Sequence, residues 1–142
     1  MKVYADQGVD QRKLRTLKNQ YGFDIVQAHD IEQNISVAKN VPHPFVLGIS
    51  LLDGGDYLAG DDINEIGKVI GGTTVGKNGG TDTLHVYTAH KEGCQYFITN
   101  NSADFIYTSR RDKTNGKRQK LEEIIRGMKI VTLDEFEKAL SV

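Results

Sequence analysis

The chain has 142 residues, 26% of them charged, and a formal net charge of −1. That is length enough for one domain with a buried core, and the balance of charge excludes recognition of nucleic acid by net charge alone. The single cysteine, Cys94, excludes an internal disulfide, no apolar run approaches the roughly 18 residues of a membrane helix, and no signal-peptide pattern opens the chain, so a cytoplasmic protein with no membrane contact is expected.

Residues 2–5 read as a first strand, with Asp6 at its C-terminal end and a turn at Gln7-Gly8. Residues 11–20 carry Leu14 and Leu17, followed by Tyr21, on one helical stripe. Asp10 is the expected N-cap and Gly22 the stop. Residues 23–27 form a second strand, and a β–α–β opening implies a parallel pair. Residues 29–40 read as a polar loop or a short helix. Pro42 and Pro44 bar a helix around them, residues 45–52 read as a strand, and Asp53-Gly54-Gly55-Asp56 as a turn. Asp61 or Asp62 can cap a helix carrying Ile63, Ile66, Val69 and Ile70, which Gly71 and Gly72 end.

Gly71 to Gly80 nearly matches a phosphate-binding loop, with Gly71, Gly76 and Lys77 in register. Asn78 stands where that loop needs Ser or Thr, a helical pattern precedes it, and Gly79-Gly80 interrupts the helix that should follow. A hinge or substrate-facing loop is the better reading. Residues 81–105 organise the chain: a helix capped by Thr81, an exit at Gly93, a buried strand over residues 94–99, and a polar loop with Asn100, Asn101, Ser102 and Asp104. Asp82 falls in that helix's first turn, where the positive end of the dipole favours a carboxylate. The loop at the strand's C-terminal end lies where parallel α/β sheets build sites. Residues 108–120 hold Arg110, Arg111, Lys113, Lys117, Arg118 and Lys120 against one acid, Asp112. A short helix over 121–126, a last strand over 128–131, and a terminal helix opened by Thr132 and Glu135 at capping-box spacing complete the chain. The pattern is a single α/β domain, three layers deep, with a mainly parallel sheet of four or five strands and helices on both faces.

The run Asp82, Leu84, His85, Ala89, Gly93, then an apolar strand, Thr99-Asn100-Asn101 and Asp104-Phe105 resembles the PIN-like nuclease families. The opening through Asp6 resembles their first strand, and residues 127–136 resemble their last strand and helix. The resemblance implies a single PIN-like domain acting as a Mg²⁺- or Mn²⁺-dependent ribonuclease, possible as the toxin of a toxin–antitoxin pair, with RNA as substrate and an antitoxin protein or a second copy as partner. By the resemblance Asp6 and Asp82 are metal ligands. Asn101 stands where the family has Asp, and Asp104 is the carboxylate placed to substitute for it.

Such chemistry needs carboxylates distant in sequence and convergent in space, because hard cations take oxygen ligands and activate water at phosphoryl groups. A further acid is open among Asp30, Glu32, Asp61, Asp62 and Glu65, with Asp30, just past the second strand, ranked first as a ligand. Each acid also has an ordinary role as a turn or cap residue. His85, three residues after Asp82, bonds a phosphate or the Asp82 carboxylate, or else simply packs. The histidines lack zinc-ligand spacing. Arg110, Arg111, Lys117 and Arg118 are expected to contact RNA backbone, or else to form a solvated loop. The competing expectation is a catalytically silent PIN-like module that binds RNA or a protein.

Overall fold

Residues 1–6, 8–27, 65–71 and 80–142 are described by a computed structural model. The expectations for residues 28–64 and 72–79, including Asp30, Glu32, Asp61, Asp62 and the Gly-rich loop, lie outside the described residues. Four strands, β1 (Lys2–Ala5), β2 (Asp24–Gln27), β3 (Tyr96–Ile98) and β4 (Lys129–Val131), form a sheet in the order β2-β1-β3-β4. Every pairing is parallel. Around it lie α1 (Gln11–Tyr21), a helical stretch at 65–70, α2 (Gly80–Lys91), α3 (Ser102–Phe105), α4 (Gly116–Ile124) and α5 (Leu133–Leu140). The α/β class and the parallel sheet stand as expected from the sequence.

Strand parity divides the core into two. Val3, Ala5 and Ile98 join Leu14, Leu17, Phe23, Leu133 and Phe136 on the face covered by α1 and α5. Tyr4, Phe97 and Ile130 join Ile66, Leu84, Val86, Tyr87, Phe105 and Leu121 on the other. A parallel sheet buried on both faces needs apolar residues at successive positions, and that is why its strands are short and unalternating. Helix α2 is the centre of the second layer. Residues 83–89 are all buried, so it has no solvent stripe of the kind an amphipathic helix shows.

Local chemistry sets the element ends. Asp10 accepts from the Arg12 and Lys13 amides to start α1, and Gly22 leaves it in the left-handed region at φ 73°. Helix α2 ends in a Schellman motif: the Cys94 amide bonds the Ala89 carbonyl, the Gly93 amide bonds that of His90, and Gly93 takes φ 81°. Cys94 itself is buried, and burial pushes its thiol up to about 11, leaving it protonated and inert at neutral pH. Thr132 and Glu135 form the full capping box of α5.

Several boundaries differ from the sequence reading. Phe23 precedes β2 and packs edge-on against Phe136 at 5.2 Å. Thr81 lies inside α2, which already includes Gly80. The polar loop after β3 contains the single turn α3, capped by Asn101. Helix α4 starts at Gly116, inside the basic run, and Leu121 is its one buried residue. Lys, Arg and Gln are good helix formers, but a helix with a single apolar anchor shows no hydrophobic period to read.

That early start gives Arg118 a structural task. Its guanidinium donates to both Glu135 carboxylate oxygens at 2.8 and 2.9 Å and to the Ile130 carbonyl at 3.4 Å. Glu122 accepts the Ile130 amide at 3.0 Å. Both backbone groups of Ile130 that face away from β3 are thereby taken by α4 side chains, which closes this edge of the sheet to strand addition. Burial acts to raise the Glu135 carboxyl, but the Thr132 amide and Arg118 outweigh it and hold the group below its ordinary value. Arg118→Met should lower the urea midpoint at unchanged m-value, by about 1–2 kcal/mol for the carbonyl and carboxylate left without their charged partner.

Candidate functional site

The C-terminal ends of β1 and β3 lie side by side, with Ala5 opposite Ile98. One residue further on, the Asp6 amide donates to the Ile98 carbonyl at 2.9 Å, and the Thr99 hydroxyl donates to the Asp6 carboxylate at 3.0 Å. Thr99 is wholly buried, and its oxygen accepts the Asn101 amide at 2.9 Å. Its hydroxyl is therefore fixed between a backbone donor and the carboxylate it orients. The sequence reading places Thr99 in the run that carries the resemblance and at the end of a buried strand, with no contact assigned to it. The signal for it was the last position of a buried strand, but its partner follows only from the register of β1 against β3. The Asn100 amide also donates to the Gly8 carbonyl, tying together the two turns that leave these strands.

Asp6 shares strand parity with Tyr4, whose side chain belongs to the α2 face of the sheet. Helix α2 runs into β3 through the tight exit at Gly93, so it returns antiparallel to the strands and brings its first turn to their C-terminal edge. Tyr4 and His85 mark the alignment: Tyr4 Oη and His85 Nδ1 share a hydrogen bond of 2.7 Å in the core. One turn before His85 stands Asp82, partly buried in the first turn of α2.

Asp82 has no hydrogen bond among the described residues. Its carboxyl is pushed up to about 6, first by burial and then by the negative charges of Asp104 and Asp6. Carboxylates from two other elements thus act on Asp82 at this edge. Asp104 is held by Asn101, whose amide nitrogen donates to its Oδ2 at 2.7 Å while the Asn101 oxygen accepts the Asp104 amide at 3.4 Å. Asn101 is both the cap of α3 and the brace of Asp104. Among the described residues no three His, Cys, Asp or Glu side chains are grouped closely enough to hold a metal ion.

His85 is 6% exposed and bonded to Tyr4. The fold gives it the packing role, and its substrate-contact expectation is set aside because the ring lies in the core. The basic residues divide. Arg110 and Arg111 are exposed in the turn before α4, where Asp112 accepts from the Thr114 amide and hydroxyl at 3.1 and 2.7 Å. Lys117 donates to the Ala103 carbonyl at 2.9 Å, next to Asp104. Arg118, 17% exposed along its side chain, is paired with Glu135 through one guanidinium nitrogen.

No protein-family model, curated protein or solved structure matches the chain.

A raised carboxyl reverses the usual pH dependence. Between its unfolded value near 4 and its folded value near 6, Asp82 keeps a proton in the folded state that the unfolded chain releases. Its contribution to stability is therefore present below pH 4 and lost as pH rises through 6. Asp82→Asn should be more stable than the parent at pH 7.5, by about 1 kcal/mol once the shift is discounted for solvent access. The difference should vanish at pH 3.5. Urea titrations of both proteins at the two pH values measure it.

Proposed function

We propose that the protein is a PIN-like, divalent-metal-dependent ribonuclease that hydrolyses phosphodiester bonds with Mg²⁺ or Mn²⁺. The observation that carries this reading is the influence of the Asp104 and Asp6 charges on the partly buried Asp82, the three acids coming from the ends of β1, α2 and α3 at the C-terminal edge of a parallel sheet. A raised carboxyl such as that of Asp82 in such a place marks a candidate functional site.

The donor set suits a hard cation. All three residues offer carboxylate oxygens, and a dication offsets the repulsion that their ionised forms impose on Asp82. When bound, the ion supplies an activated water and stabilises charge on the phosphoryl oxygens. The chain's own residues prepare the oxygens. Thr99 orients Asp6 by donating to one of its carboxylate oxygens. Asn101 restrains Asp104. Asp82, on a buried helix, has a raised carboxyl whose ionised form a neighbouring positive charge favours.

A second reading, a catalytically silent module that binds RNA or a protein, is favoured by two features. A neutral Asn101 stands where the resembled family has an acid, and no three candidate ligands are preassembled among the described residues.

Purified protein with Mn²⁺ should cleave end-labelled single-stranded RNA, and cleavage should disappear in EDTA and in Asp6→Asn. Mn²⁺ should also raise the melting temperature at pH 7, and this shift should be absent in Asp6→Asn. Failure of both with varied RNAs favours the silent module. Cleavage that survives EDTA and the substitution overturns the metal chemistry.

A further inference from the structure

A cavity of about 260 Å³ lies between the helical stretch at 65–70 and the start of α4, lined by Lys68, Val69, Thr108, Gly116, Lys117 and Lys120. It is below the roughly 300 Å³ at which pockets take drug-sized ligands, so it suits a small group. Its described lining holds three ammonium groups and no carboxylate. The nearby acid is Glu65, which pairs with Lys68 at 3.2 Å in an exposed contact, of a kind that contributes little and exchanges readily. Lys120 has no ion-pair partner among the described residues. Lys117 spends one of its three donors on the Ala103 carbonyl, which fixes the ammonium and leaves two donors.

The floor of this cavity is shaped by a close approach. A Cβ on Gly116 would meet the Thr108 hydroxyl oxygen at 2.1 Å, and in its absence the Gly116 amide donates to that oxygen at 2.9 Å. The three lysines that line the cavity carry like charge, and an anion bound among them would offset it.

We propose that this cavity is a phosphate subsite, and that its occupant is a backbone phosphate of single-stranded RNA. The naming of RNA rests on the ribonuclease reading; the phosphate chemistry rests on the lysines alone. The bond from Lys117 to Ala103 places the subsite beside the turn that carries Asp104. It would therefore hold the strand next to the carboxylates. Free inorganic phosphate is the other source of the same chemistry.

The test is the double variant Lys68→Gln/Lys120→Gln, which leaves Lys117 and its carbonyl bond intact. Its urea midpoint should equal the parent's. Anisotropy of a labelled single-stranded RNA, measured in EDTA so that no cleavage occurs, should show affinity falling about tenfold. The slope of log affinity against log salt should shrink by about one. A control variant on α1, Lys18→Gln, should change neither. In parallel, inorganic phosphate is titrated against the ¹⁵N-labelled protein while the Gly116 and Thr108 amides are followed. Weakened RNA binding with a smaller salt slope supports the subsite with RNA as occupant. Unchanged RNA binding with saturable shifts at Gly116, lost in the double variant, overturns RNA and leaves free phosphate. Silence in both overturns the subsite. None of these readouts depends on metal or on Asp6, so failure of the nuclease reading would be seen separately in the cleavage assay.

Discussion

The hydrogen bond between Tyr4 and His85, 2.7 Å long and buried in the core, is the contact from which the site's geometry follows. Two polar groups withdrawn from water must satisfy each other, because a donor or acceptor left unmade in the core costs about 1–3 kcal/mol. That requirement couples one position on β1 to one on α2. Tyr4 also stacks on Phe97 at 4.5 Å, which brings β3 into the same unit. Once Tyr4 and His85 are matched, strand parity and one helical turn bring Asp6 and Asp82 to the same edge. The acids need no contact of their own for this, and their repulsion is tolerated because the core beneath them sets their positions.

The other end of the sheet shows the same economy. Helix α4 is mostly polar and is anchored by Leu121, yet it closes the β4 edge with two side chains. Glu122 takes the Ile130 amide and Arg118 takes the Ile130 carbonyl. Glu135 then holds Arg118 while completing its own capping box. One carboxylate thus links a helix start to an edge-closing cation. A residue that reads as part of a basic patch is, in the fold, a strand-edge cap.

These two arrangements flank α3 and give its short turn opposite surroundings. Asp104 acts with Asp6 on the Asp82 carboxyl, and the Ala103 carbonyl receives an ammonium from Lys117. An acidic edge and a basic cavity therefore meet across four residues. That is the charge layout expected where a cation and a phosphate chain are handled together.

The sequence by itself determined the elements whose signals are local. Strands β1 and β3, the stripe of α1 with its Asp10 cap, the stops at Gly22 and Gly93, and the capping box at Thr132 all follow from residue types a few positions apart. It also marked Asp6, Asp82 and Asp104 as candidates, because strand ends and helix starts are legible without a partner. What only the tertiary structure decided was which groups face each other. The pairing of Thr99 with Asp6 depends on the register of two strands more than ninety residues apart in the chain, and the raised carboxyl of Asp82 on how charges from three elements add. His85 left the candidate site for the core because Tyr4 waits for it there, and Arg118 left the basic patch because Glu135 and Ile130 do. A charged or polar side chain carries in its own sequence no record of the partner that will claim it, and that partner is supplied by the fold.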